Sequence, residues 1–271
     1  MKVHIILTNK FHSDDVSEID LKNCVCAVID TIRATSTIAT MLGCGGNSVV
    51  IADSKAEALK LKKVFNDFIL CGEEGGLAPR GFEFNNSPVE ISKMGATGKN
   101  FILMTTNGTQ SIFKVRDCIE VFAISILNLH YTIDFMIDSA IKNSSDLLFL
   151  CSGVKGMITY DDAFTAGLAV KYILTRPYKF EYSDSAKLVL SAALCEFDII
   201  DALEKSLSAK LLRSVGYGDD ISFLSHLNKY RIAPKLSKLN IKKLKPRHIS
   251  LEDLKSYLGY DILYLMEKGT K

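Results

Sequence analysis

Short apolar runs alternate with longer stretches of helical periodicity along most of this chain. The runs near residues 2–7, 25–29, 48–52, 68–71, 101–104, 121–124 and 147–150 are short and apolar, the third of them β-branched, which predicts strands. A first helix is predicted through Ile38-Ala39-Thr40-Met41-Leu42, ended by Gly43, Gly45 and Gly46. A second starts at the capping box Ser54-Lys55-Ala56-Glu57, and a third at Ser87-Pro88-Val89-Glu90, where a cap, a proline and a glutamate stand in helix-starting order. Further helices are predicted after Thr109, over 127–142 and from Asp161 to Leu174. Strand and helix in alternation predict an α/β fold, a mostly parallel sheet with helices on both faces.

After Pro177 the pattern changes. Residues 184–228 are mostly helical by spacing, broken at Gly216-Tyr217-Gly218, and 231–236 predicts a late strand. A basic run, Lys242-Lys243-Leu244-Lys245-Pro246-Arg247-His248, precedes a helix capped by Ser250, with Asp253 three residues on. The expected organisation is an α/β domain over 1–240, with a subdomain division near 120–180 left open. A basic, helical C-terminal extension over 241–271 would follow. A weak echo links the Asp30 and Thr105 regions, since each is an apolar strand leading into a hydroxyl-rich turn and a helix. It points to a duplicated α/β unit.

Composition narrows the functional classes. With 271 residues, 48% hydrophobic and 24% charged, the chain reads as a soluble globular protein with a substantial core. A net charge of +2 argues for neither nucleic acid nor membrane as a partner, and the basic run reads as a solvated face. No apolar stretch is long enough to span a bilayer, and the N-terminal run is too short for a signal peptide. The seven cysteines are odd in number and scattered, without a C-x-x-C pair, as expected of reduced, buried thiols in a cytoplasmic protein. Cys71 and Cys151 end apolar runs, and for both core packing is favoured over catalysis.

The chemistry collects at four strand ends: Asp30 with Arg33, Thr35, Ser36 and Thr37; Glu73 with Glu74; Thr105, Thr106, Asn107 and Thr109; and Ser152-Gly153 with Asp161-Asp162. Taken singly, each has a plain alternative as a cap or a solvated turn. In a parallel sheet the strand ends share one edge, so the four would converge on one crevice. Carboxylate and amide oxygens are hard ligands that suit Mg²⁺, whereas sparse histidine and scattered cysteine do not suit zinc. Hydroxyls and Arg33 suit an oxyanion. Neither nucleotide-binding glycine motif is present, nor a G-x-S-x-G elbow.

At these positions the sequence resembles the 2-phosphosulfolactate phosphatase family, Mg²⁺-dependent enzymes first associated with coenzyme M biosynthesis. The segments that carry the resemblance are Val28–Thr37, Cys71-Gly72-Glu73, Gly81–Glu90, Thr105–Thr109 and Asp161–Gly167, in the family's order and spanning about residues 1–235. Glu74 stands where the family's G-E-R-G-G segment has a basic residue, which removes an anion ligand. Asn85 replaces a glycine, and Asp161-Asp162 replaces an E-D pair.

The resemblance implies a three-layer α/β/α fold, with two related subdomains, and hydrolysis of 2-phospho-3-sulfolactate to 3-sulfolactate and phosphate. The residues expected to act as catalytic groups and Mg²⁺ ligands are Asp30, Glu73 and Asp162. Those expected to hold a small phosphorylated, sulfonated substrate are Arg33, Ser36, Thr37, Asn107, Gly108, Thr109, Ser152 and Gly153. Direct attack by water and an aspartyl-phosphate on Asp30 both stay open. Ile32 stands where a D-x-D signature needs its second aspartate, which favours metal-activated water. Another small phosphorylated acid as substrate, a non-catalytic anion-binding role and homo-oligomer formation are open alternatives.

Overall fold

A computed structural model describes residues 1–12, 16–240 and 257–269. The chain begins with β1 (Lys2–Ile6), β2 (Cys24–Ile29), α1 (Ala34–Gly43), β3 (Ser48–Ile51), α2 (Lys55–Val64), β4 (Ile69–Gly72) and α3 (Pro88–Met94). It continues with β5 (Asn100–Met104), α4 (Gly108–Lys114), β6 (Glu120–Ile124), α5 (Leu129–Asn143), β7 (Asp146–Cys151) and α6 (Tyr160–Ile173). A two-residue strand, β8 (Glu181–Tyr182), precedes α7 (Asp184–Leu194), α8 (Ile199–Glu204), α9 (Leu207–Ser214) and α10 (Asp219–Leu224). Last come β9 (Pro234–Asn240) and β10 (Ile262–Lys268). The helix starts follow their sequence signals: Ser54 accepts from the Glu57 amide and Ser87 from the Glu90 amide, with Pro88 at the first helical position.

All ten strands join one sheet in the order β4-β5-β3-β10-β9-β6-β2-β7-β1-β8. Pairing is parallel within β4-β5-β3 and within β6-β2-β7-β1-β8, and antiparallel where the β9–β10 hairpin joins the two blocks. The sheet is thus mixed and mostly parallel, with helices on both faces. The inner strands are buried on both sides, which is why they read as unbroken apolar runs.

From β2 to α6 the chain passes twice through strand–helix–strand–helix–strand–helix. The trio β4-β5-β3 mirrors β6-β2-β7 about the central hairpin, as a local two-fold axis requires. Each repeat lends its first strand to the other's trio: β2 lies between β6 and β7, and β5 between β3 and β4. The duplicated unit foreshadowed by the Asp30 and Thr105 turns is therefore present, and the two trios interleave along the chain.

Two expectations need correction. The strand ends do not share one edge, because three successive antiparallel pairings reverse the direction of one parallel block relative to the other. The turns after β2 and β5 meet instead where the first residues of α1 and α4 touch. One apolar core packs α1, α3 and α4 against both blocks. The C-terminal extension is also not wholly helical. Ile262–Lys268 fills the gap between β3 and β9 as a full strand, and its short apolar run suits either helix or strand until a sheet edge selects one. The basic run and the Ser250 cap lie outside the described residues.

Candidate active site

The site forms where the first turns of α1 and α4 meet. In the turn after β2, the Thr35 hydroxyl donates to Asp30 O at 2.9 Å and accepts from the Asp30 amide at 3.1 Å. After β5, Thr109 does the same for Thr105, at 2.9 and 3.2 Å. These are the same turn in the two repeats. Gly108, the first residue of α4, sits against Ala34, the first of α1, and a Cβ there would stand 2.8 Å from Asp30 Oδ2. A side chain is excluded because the two helix starts touch.

Asp30 is 8% exposed. Its Oδ1 accepts the Ala34 amide at 3.0 Å, while Oδ2 receives no hydrogen bond from the described residues. Burial pushes the Asp30 carboxyl up to about 7 against the pull of the Ala34 amide, with Glu73 and Asp161 adding to the rise. Asp161 is likewise pushed up by burial, to about 6, although Ser208 donates to it at 2.9 Å. Asp162 is raised well above the usual carboxylate range by burial and by Asp161 and Asp30. Acids that raise one another in a dry site make a place where a cation is favoured.

Glu73 is braced by the Thr106 amide on Oε1 at 2.7 Å and the Gly76 amide on Oε2 at 2.8 Å, and each oxygen keeps a second lone pair. Asp162 binds the Thr31 and Gly153 amides, both at 2.9 Å, and so ties the end of β2 to the end of β7. It is not a helix cap: Thr159 holds that position, and Asp161 and Asp162 follow inside the first turn. Arg33 is 4% exposed and heavily engaged. It pairs with Asp220 at 2.8 Å, donates to Gly76 O and Asn85 Oδ1 at 3.1 Å each, and lies over the Tyr217 ring.

A cavity of about 400 Å³ opens here, lined by Asp30, Glu73, Arg33, Asn107, Lys155 and one face of α9. Of the residues expected to hold the substrate, Arg33 and Asn107 line it. The others support its walls. Ser36 donates to Thr31 O at 2.8 Å, Thr37 to Asn86 O at 3.3 Å and Thr109 to Thr105 O, while Ser152 bonds Ser111 at 2.8 Å. Gly153 offers its amide to Asp162. Cys71 and Cys151 are fully buried, with their thiols pushed up by burial, consistent with core packing.

The comparisons with known proteins agree with this picture. A profile described as 2-phosphosulpholactate phosphatase matches residues 11–238. The chain belongs to that family. A Thermotoga petrophila protein named probable 2-phosphosulfolactate phosphatase is 34% identical over 214 residues, covering 77% of this chain and 87% of its own. Proteins of the same name from Pseudothermotoga lettingae and Caldanaerobacter subterraneus are 36% and 33% identical, covering 78% and 82% of this chain and 88% and 92% of theirs.

Asp30 and Glu73 offer hard oxygen donors of the kind that Mg²⁺ takes. Among the described residues, no three His, Cys, Asp or Glu side chains gather to cage a metal. Mg²⁺ needs one or two carboxylates, with water and substrate phosphate completing its shell, and Asp30 Oδ2 with Glu73 match that open arrangement. Sequence reasoning missed Asp220, Tyr217, Ser208 and Lys155. The first three come from or near the late helices, where no motif marked them. Lys155 lies in a loop whose only signal was its place after a strand end.

Proposed function

We propose that this protein is a Mg²⁺-dependent phosphatase that hydrolyses 2-phospho-3-sulfolactate to 3-sulfolactate and phosphate. The observation that carries this reading is the pair Asp30 and Glu73, presented by two strand ends to one cavity beside the meeting of α1 and α4. The names of the relatives support the substrate, and the hard oxygen donors support the metal.

In this reading Asp30 and Glu73 hold the cation, which when bound would neutralise phosphate charge and make a water more acidic. Asp162 acts as a positioning residue, fixing the Thr31 and Gly153 amides and hence the Asp30 turn. Asn107 and the α9 wall shape the space for the ester. Arg33 places its positive charge beside the cavity while Asp220 holds its orientation. Phosphoryl transfer is largely positioning and charge neutralisation, so this rigid set supplies much of what it requires.

The test is phosphate release from phosphosulfolactate by purified protein, with Mg²⁺ and with a chelator. Mg²⁺-dependent release is expected. No release from this ester, beside Mg²⁺-dependent release from a different small phosphorylated acid, would move the assignment to that acid. No release from any ester would end the phosphatase reading.

A further inference from the structure

The loops after β4 and β7 are equivalent under the local two-fold, and their backbones agree closely. Each closes with a short antiparallel bridge, Glu74 with Leu77 and Val154 with Met157. Gly76 and Gly156 share φ 85°, and Gly75 at 62° matches Lys155 at 52°. One loop therefore uses glycine in the left-handed region, and the other places a lysine there. A side chain at such a φ is disfavoured relative to glycine. Lys155 lines the cavity and pairs with no carboxylate among the described residues.

The charge balance of the cavity gives that lysine a task. Arg33 is neutralised by Asp220 at 2.8 Å. In the first loop the position equivalent to Lys155 is Gly75, which carries no charge, and Glu74 beside it turns to Lys55 at 3.7 Å on the surface. Asp30 and Glu73 are acids that line the same space. A substrate carrying a second strong acid besides its phosphate needs a cation that no acid of the protein has claimed. From these observations we propose that Lys155 is a specificity-determining residue that binds the second anionic group of the substrate, a sulfonate or similar oxyanion, in the cavity that Asp30 and Glu73 line. The choice of sulfonate rests on the phosphatase reading above; the anion-binding role does not.

Lys155→Gly tests this without burdening the fold, because glycine suits the left-handed backbone. Calorimetric titration with 3-sulfolactate, and with lactate as the sulfonate-free control, measures binding independently of turnover. Lys155→Gly is expected to weaken sulfolactate binding roughly tenfold to hundredfold, to shrink the preference over lactate by the same factor, and to leave Tm no lower. Lys155→Arg is expected to restore most of the preference. An unchanged preference in Lys155→Gly, or an equal loss for both ligands, would overturn the proposal. Lysine-dependent sulfolactate binding in a protein that releases no phosphate would instead uphold it and remove the phosphatase reading.

Discussion

The Asp30 turn and the Thr105 turn are built alike and equipped differently. Both end a buried strand, both are locked by a threonine hydroxyl reaching back to a backbone carbonyl, and both start a helix. In the first, the residue at the strand end is a carboxylate, one of whose oxygens accepts no hydrogen bond from the described residues; in the second it is Thr105, whose hydroxyl accepts the Thr109 amide at 3.0 Å. The helix caps differ in the same sense, Arg33 against Asn107. The loops after β4 and β7 repeat the lesson, with Glu73 in one and Gly153 and Lys155 in the other. A duplicated scaffold thus supplies rigid geometry twice, and Asp30 and Glu73 sit in one copy while Lys155 sits in its mate.

Removing the acid that distinguishes the first turn is the strongest way to break this contrast. Asp30→Asn keeps the Ala34 hydrogen bond but loses the charge, and is expected to lower kcat by roughly 10³-fold in the phosphate-release assay. Activity near wild type would mean that the two turns do not differ in function.

Asp220→Ala attacks the other distinguishing residue of that turn. It leaves the Arg33 guanidinium buried without its partner, and a loss of about 3–5 kcal/mol is expected in urea denaturation. A loss below about 1 kcal/mol would show that water reaches Arg33 and that the pair is not structural.

Burial of Asp30 also gives the first turn a pH signature that the second lacks. Its carboxyl is lifted from 3.8 to about 7, so between those values the folded protein keeps a proton that the unfolded chain has released. Stability of the metal-free protein therefore falls as pH rises from about 4 to about 7 and levels off above, a difference on the order of a few kcal/mol. Subtracting the profile of Asp30→Asn from that of the wild type isolates this contribution, and a flat difference would contradict it.

The smallest effect sharpens the contact between the two turns. Gly108→Ala pushes a methyl group into Ala34 and to 2.8 Å from Asp30 Oδ2, and is expected to cost about 1–3 kcal/mol. Because the strain falls on Asp30, kcat should drop more than Tm suggests. A stability loss with unchanged kcat would place the contact outside the site.

Much of this was legible in the chain itself. The apolar runs located seven strands, and Ser54 and Ser87 marked their helix starts. The motif residues Asp30, Glu73 and Asn107 all reached the cavity. Ser36, Thr37 and Thr109 were legible as special but not in their orientation. A helix start needs its hydroxyls for its own backbone as readily as for a ligand, and here the backbone takes them.

By itself, the sequence determined the first seven strands and most helix starts, the α/β class, the echo between two strand–turn–helix units and the acids at strand ends, because these depend on local periodicity and turn chemistry. The tertiary structure alone decided that the two parallel blocks run in opposite senses and that Ile262–Lys268 completes the sheet between them. It also decided that Arg33 answers to Asp220, 187 residues away, and that Lys155 lines the same cavity as Asp30 and Glu73. Those pairings depend on which surfaces are left unsatisfied after the elements pack, and no local pattern along the chain encodes that remainder.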